Sequence, residues 1–394
     1  SATSRFESVN VRNSSRRKVE DLSIAKANQG LALGSFKHQF CGMSITLKPG
    51  FIYFLRERDV LSGETFEYVK IGKTDFDRPV AKRISDHQTG NPRLILDHSS
   101  YQVSSIDTVE THLHHAFSEN RVLGEWFRMD ESTLQSAIDE GRRIDQEVVS
   151  HADALKGADT AYDLESNEPE RTATQEELAL LEQAVEAGES LNRLQARQDS
   201  LEWELRAAMG ASQGIDGVLS VSEVKKKPQF DEKGLQEKAP EIYEGFLVEE
   251  TSLKRSFSLA TKTKSKAALE PELASKQKEF KEQVVQDWAA CDAPLADRST
   301  HFAELHRQYL AGMGEISLAT LKKEFLEARI KAACGVAKGI EGVCKWSRST
   351  ETKMKFDRKS FEQKHPELLE KHLLPAASSG LRIRVNPFRS YASS

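Results

Sequence analysis

Among residues 50 to 127 a tyrosine, an arginine, a glutamate and two histidines stand at spacings that could place them around a common point. Tyr53 lies in the apolar run GFIYFLRE, and the next apolar run, EYVKIG, ends in Lys70-Ile71-Gly72. Two neighbouring strands would bring both tips to one edge of a sheet. Gly72 would then let a substrate approach the backbone closely. Arg83 and His87 are four residues apart and share a helix face, and Glu110 and His114 repeat that spacing. Glu125 and Trp126 follow on a short strand. A carboxylate for a divalent metal, an arginine for a phosphate and a tyrosine to activate a nucleophile are together sufficient for phosphodiester hydrolysis. Taken singly each has a plainer reading: a half-buried strand tyrosine, a surface helix arginine, a glutamate favouring a helix's first turn.

The elements that must position these residues are legible. FIYFLRE and EYVKIG read as strands joined by the turn LSGE, and DRPVAKRISDHQ as a helix with Pro79 near its first turn. Asn91-Pro92 marks a turn before a third strand, RLILDHSSYQV. SSIDTVETHLHHAFSEN keeps Val109, Leu113 and Phe117 on one helical stripe behind Ser and Asp cap candidates. GEWFRMD is a short strand and ESTLQSAIDEGRRIDQEVV a closing helix.

In this order the blocks resemble the GIY-YIG nuclease superfamily, in its phage and meiotically-upregulated-gene type branch, over residues 50–130. Gly50-Phe51-Ile52-Tyr53 matches the first motif and Lys70-Ile71-Gly72-Lys73-Thr74 the second. Arg83, His87, Glu110 in VETHLHHAF, and GEWF at Gly124–Phe127 match the later ones. The resemblance implies Tyr53 as general base or its relay, Arg83 on the scissile phosphate and Glu110 holding one Mg²⁺ or Mn²⁺. It makes His87 a proton shuttle, with Tyr68, Lys73, His114 and Trp126 in support. Two positions depart from the superfamily pattern. Lys70 stands where the second motif has a tyrosine, and Glu125 and Trp126 stand near the place of a late asparagine. Either Lys70 supplies a positive charge there, or the domain binds DNA without cutting it.

The net charge of −5 hides an asymmetry. Residues 1–50 carry 8 basic and 3 acidic side chains, residues 130–210 carry 7 and 20, and residues 321–394 carry 16 and 8. Basic ends around an acidic middle suit an anionic partner for the ends. No apolar run approaches the roughly 18 residues that span a bilayer, and SATSRFESVN lacks the apolar segment of a signal peptide. Cys41, Cys291, Cys334 and Cys344 form no CxxC and read as reduced thiols. The expected location is the cytoplasm of a bacterial host, with a phage or prophage gene as source.

The stretch from Thr174 keeps Leu178, Leu181, Val185, Leu194, Leu201 and Leu205 at helical spacing, with Gly188 breaking the heptads, which suits a short helical hairpin or stalk. The second half of the chain then resembles itself. LEWELRAAMGASQGIDGV, from Leu201, returns as LEARIKAACGVAKGIEGV, from Leu326. Phe230-Asp231 recurs as Phe356-Asp357, and Pro240-Glu241 as Pro366-Glu367. Each copy reads as helix, Gly-bounded turn, strand, lysine-rich turn, strand, short helix and basic end. The copies resemble the tail of YqaJ-type phage recombinase exonucleases, without that family's nuclease core, which implies work on DNA. Lys225, Lys226, Lys227, Lys353, Lys355, Arg358, Lys359, Arg382 and Arg384 are the candidate residues for binding nucleic acid.

The expected fold is α+β: a small GIY-YIG-like antiparallel sheet flanked by helices, then a helical stalk and two duplicated small α/β modules. Its expected parts are a basic arm (1–44), a nuclease domain (45–150), a linker (151–173) and a stalk with module 1 (174–260). A helical connector (261–325) and module 2 (326–394) complete it. The expected function is metal-dependent DNA endonuclease, with DNA as partner and no membrane. A silent DNA-binding protein, or a scaffold whose modules bind a recombination or single-strand-binding protein, is the alternative.

Overall fold

Strand-forming residues alternate along Gly50–Arg58 (β1) and Thr65–Asp75 (β2), so each strand sends one set of side chains to either face of a sheet. In the computed structural model, which describes residues 45–224, 228–288, 300–375 and 380–388, these two strands form the centre of an antiparallel five-stranded sheet. The others are Leu94–Val103 (β3), Arg121–Leu123 (β4) and Trp126–Arg128 (β5), in the order β3-β1-β2-β5-β4. β4 has no signal in the sequence; Gly124, at φ 58°, makes the turn that folds it back on β5.

One face of the sheet, with Ile52, Phe54, Val69, Ile71 and Phe127, is buried against helices Ile106–Ala116 (α2) and Glu131–Ser150 (α3). Each such side chain contributes about 1.5–3 kcal/mol by leaving water. The other face, with Tyr53, Leu55 and Ile95, is covered by the shorter helix Val80–Gln88 (α1) through Val80 and Ile84. α3 begins where the Asp130 carboxylate accepts the Thr133 amide at 2.8 Å.

Beyond α3 the chain is more helical than its composition indicates. Residues 152–162 of the expected linker form a helix, Ala152–Tyr162 (α4), because Leu155 and Ala161 bury themselves against neighbouring cores. The remaining residues run beside the C-terminal sheet, Ser166 donating its amide to the Arg348 carbonyl at 2.9 Å. Gln175–Ala208 (α5) is one unbroken helix opened by a Thr174/Glu177 capping box. Gly188, expected to break the heptads, lies inside this helix and leaves room for Thr263, whose Cγ2 would stand 2.5 Å from a Cβ there.

After α5 come Gly214–Ile215 (β6), Leu219–Val224 (β7), Gln229–Phe230 (β8), Glu232–Lys238 (α6), Pro240–Glu244 (α7) and Leu247–Leu259 (β9). Helices Lys266–Leu269 (α8), Pro271–Trp288 (α9) and Thr300–Cys334 (α10) follow. Gly339–Ile340 (β10), Cys344–Phe356 (β11), Arg358–Lys364 (α11), Pro366–Lys371 (α12), Leu373–Leu374 (β12) and Gly380–Val385 (β13) close the described chain. The first self-similar stretch has three strands before its two short helices and one after them; the second has two before and two after, because the lysine-rich turn expected at Lys353 and Lys355 is part of the continuous strand β11. Only the two-residue strands β6 and β10 pair inside their own stretch, with β7 and β11; the other pairings run across the stretches, β9 with β11, β13 with β7 and β8 with β12. α5 and α10 lie antiparallel, Leu180 and Ala184 packing near Ile330 and Cys334, and Trp203 near Leu305 and Tyr309.

Cys334 and Cys344 are free and buried in one of these cores. Cys41, Cys291, Lys225, Lys226, Lys227 and the expected arm (1–44) lie outside the described residues. No helix among the described residues is long and apolar enough to cross a membrane.

Candidate active site

β1 and β2 pair in a register that sets Tyr53 opposite Gly72 and Leu55 opposite Lys70. Tyr53, Lys70 and Gly72 therefore face α1, while Ile71 and Lys73 face α2. Glycine is required at position 72 because the tyrosine ring lies across it: a Cβ would come within 2.5 Å of Tyr53 Oη. β5 covers β2 only from Tyr68 to Lys70, so beyond Lys70 the strand edge has no further strand beside it among the described residues. At that edge the two sides of the sheet meet.

On the α1 side, Arg83 Nη2 donates to Tyr53 Oη at 3.5 Å, and His87 Nε2 lies 3.5 Å from the same oxygen. Burial raises the pKa of the Tyr53 phenol, outweighing the opposing effect of Arg83. Burial, helped by the charges of Lys70 and Arg83, lowers that of His87 and keeps the imidazole neutral at neutral pH. Arg83 Nε is buried and has no hydrogen-bond partner, an arrangement suited to an incoming anion.

On the α2 side Glu110 is buried, and burial raises its pKa against the pull of Lys73, 2.7 Å away. Lys73 Nζ also reaches Asp107 at 2.6 Å, so one ammonium bridges the two acids. His114 donates Nε2–H to the Ile71 carbonyl at 3.0 Å, and burial lowers its pKa to about 4. It is a neutral buttress that ties α2 to β2 next to Gly72. No group of three or more His, Cys, Asp or Glu that could hold a metal occurs among the described residues. A single carboxylate is nonetheless a fitting donor for Mg²⁺, which commonly keeps several waters and takes further oxygens from a phosphate.

Lys70 is buried and its Nζ is hydrogen-bonded to Glu125 Oε2, with the ring of Trp126 5.9 Å away. Lys70 and Glu125, 55 residues apart in the chain, thus pair with each other. Glu125 lies within electrostatic reach of Tyr53, Arg83, His87, Glu110 and His114. Burial pulls its pKa up, but Lys70 prevails and holds it below the ordinary value. Glu125, expected on the short strand with Trp126, lies instead in the turn between β4 and β5, where no alternation indicates which side it takes. Tyr68, expected in support, pairs with Arg128 and is exposed, four residues along the strand from Gly72.

Among the candidate residues for binding nucleic acid, Lys353 pairs with Glu351 at 3.1 Å, Lys355 with Glu250 at 2.8 Å and Arg358 with Glu362 at 2.7 Å. Lys359 is exposed, and Arg382 and Arg384 lie on β13. The carboxylates that engage Lys353, Lys355 and Arg358 all belong to the second half of the chain, far in sequence from the edge at Gly72. No curated protein and no solved structure matches the chain. Residues 50–142, which include the whole five-stranded sheet and the first part of α3, match the family model of the T5orf172 domain, a phage-associated domain related to nucleases.

Proposed function

We propose that this chain is a metal-dependent DNA endonuclease of phage or prophage type whose reaction takes place at the β2 edge beside Gly72. The observation that carries the reading is the convergence of Tyr53, Arg83 and His87 from one side of the sheet with Glu110 from the other. Arg83 binds the scissile phosphate and stabilises the charge that develops on it. Tyr53 orients the attacking water and passes its proton to neutral His87. Glu110 would hold the divalent ion, and Asp107 would remain as the partner of Lys73. When bound, Mg²⁺ or Mn²⁺ polarises the phosphate and stabilises the leaving oxygen.

The paired ribbons β9/β11 and β7/β13 serve as the DNA-retaining surface in this reading. Most of the β9/β11 ribbon is exposed along its 13 paired positions, and a two-stranded ribbon fits the major groove. Exposed ion pairs are worth only about 0–1 kcal/mol, so Lys353 and Lys355 can exchange carboxylate for phosphate. A second reading, DNA binding without cleavage, is favoured by Lys73, whose ammonium already neutralises Glu110. Incubation of plasmid and single-stranded DNA with Mg²⁺ or Mn²⁺ separates the two. Cleavage abolished in both Arg83→Ala and Glu110→Ala supports the enzyme; cleavage surviving both changes removes the site assignment, and none by wild type leaves the binding protein.

A further inference from the structure

Two acids lie within electrostatic reach of Arg83, and no ion pair joins it to either. Asp86 and Glu125 both act on it electrostatically. Asp86 is engaged by Arg78, with Lys82 at 3.7 Å, and Glu125 is engaged by Lys70. The hydrogen-bond partner of the Arg83 guanidinium is the neutral Tyr53 hydroxyl at 3.5 Å, and its Nε, though buried, has none. Arginine and carboxylate ordinarily combine in short charge-assisted bonds, often two at once. A guanidinium left so under-used beside a carboxylate needs an explanation, and Lys70 supplies it.

The backbone of Glu125 is held in place. Its carbonyl accepts the Ile71 amide at 3.0 Å, and Trp126, the next residue, pairs with Lys70 across β2 and β5. The Glu125 side chain is half-exposed, engaged by Lys70 and within electrostatic reach of Arg83. Lys70 is itself buried on the face that α1 covers, with little room to leave its post.

We propose that Lys70 is a positioning residue that restrains the Glu125 carboxylate and so keeps the Arg83 guanidinium available for a DNA phosphate. Without Lys70, Glu125 closes on Arg83 and occupies the phosphate's place. The inference rests on the reading of Arg83 as the group that binds phosphate, and it extends that reading to a pair of residues that touch no substrate. It also makes a specific demand: loss of Lys70 must be curable by removing the charge of Glu125.

The test is binding of a short fluorescent DNA duplex to the full chain in EDTA, by anisotropy at one fixed low salt concentration. Arg83→Ala calibrates what the guanidinium contributes. Lys70→Met is expected to weaken binding as much as Arg83→Ala does, and Lys70→Met combined with Glu125→Gln to return to within about threefold of wild type. Lys70→Arg, which keeps the charge in place, is expected to bind as wild type and covers the case in which Lys70→Met unfolds. In cleavage assays Lys70→Met should raise KM more than it lowers kcat, since it blocks a binding group. A double variant as weak as Lys70→Met, or a Lys70→Met variant that binds like wild type, overturns the proposal. Rescue in a protein that binds but never cleaves would sustain this inference while removing the enzymatic reading, and cleavage without rescue would do the reverse.

Discussion

The hydroxyl of Tyr53 lies over Gly72, its partner across the β1–β2 pair, in the space that any side chain at position 72 would fill. The glycine thus determines where the phenol can rest. Gly72→Ala should push the ring off its place, costing about 1–3 kcal/mol through overpacking. Cleavage should fall at least tenfold while DNA binding changes little. Thermal unfolding and plasmid nicking, run side by side, check both.

The pH profile of cleavage should carry the signature of His87. Its pKa lies below the ordinary 6.5, so the imidazole stays neutral through pH 7 and becomes protonated only on further acidification. Protonated His87 cannot take a proton from Tyr53. Activity should therefore fall on the acid side with a midpoint below 6.5. His87→Gln should remove that limb and lower kcat by about a hundredfold or more.

Stability should also decline in acid. His114 and His115 have pKa values near 4 in the folded chain because burial disfavours their charged forms. Unfolded, both would titrate near 6.5. Between these values the unfolded chain binds more protons, so stability is complete above about 6.5 and declines as pH falls toward 4. Urea unfolding at a series of pH values should show proton uptake approaching two per molecule, and His115→Gln should reduce the steepness.

The helix that carries Glu110 is wedged against the C-terminal half of the chain. His112 on α2 is buried between Ser317 of α10, at 3.0 Å, and Glu140 of α3, at 2.8 Å. Gly314 on α10 meets Ala116, whose Cα would stand 2.9 Å from a Cβ at 314. Gly314→Val should force α2 and α10 apart, cost about 1–3 kcal/mol and depress cleavage through Glu110. Urea unfolding and a cleavage assay on the same preparation would show whether the two defects travel together.

Replacement of Lys353, Lys355, Arg382 and Arg384 by glutamine should weaken DNA binding at low salt without changing the Lys70–Glu125 relationship. The slope of log Kd against log salt should fall by up to about 0.9 for each phosphate that the variant no longer neutralises. An unchanged slope would assign the ribbons to a protein partner.

Strands β1, β2, β3 and β5 and helices α1, α2 and α3 were readable because alternation and helical spacing are local properties. Helix α4 was missed because its polar residues outnumber the few, such as Leu155 and Ala161, that face its neighbours. Strand β4 was missed because three residues hold no pattern. Why Gly188 stands in α5 was not legible either, because Thr263, the neighbour it admits, is 75 residues away in the chain.

By itself the sequence determined which side chains lie on which face of each strand and helix, since backbone geometry dictates that from spacing alone. It also showed the self-similarity of the stretches that begin at Leu201 and Leu326. Only the tertiary structure decided that Lys70 meets Glu125, that Lys73 bridges Glu110 and Asp107, that β9 and β13 pair across the stretches, and that α10 supports α2. Those partners are separated by tens to hundreds of residues, and which one a charged or edge group finds depends on how the chain returns. No local period encodes that return; it is selected by burying all the apolar faces at once.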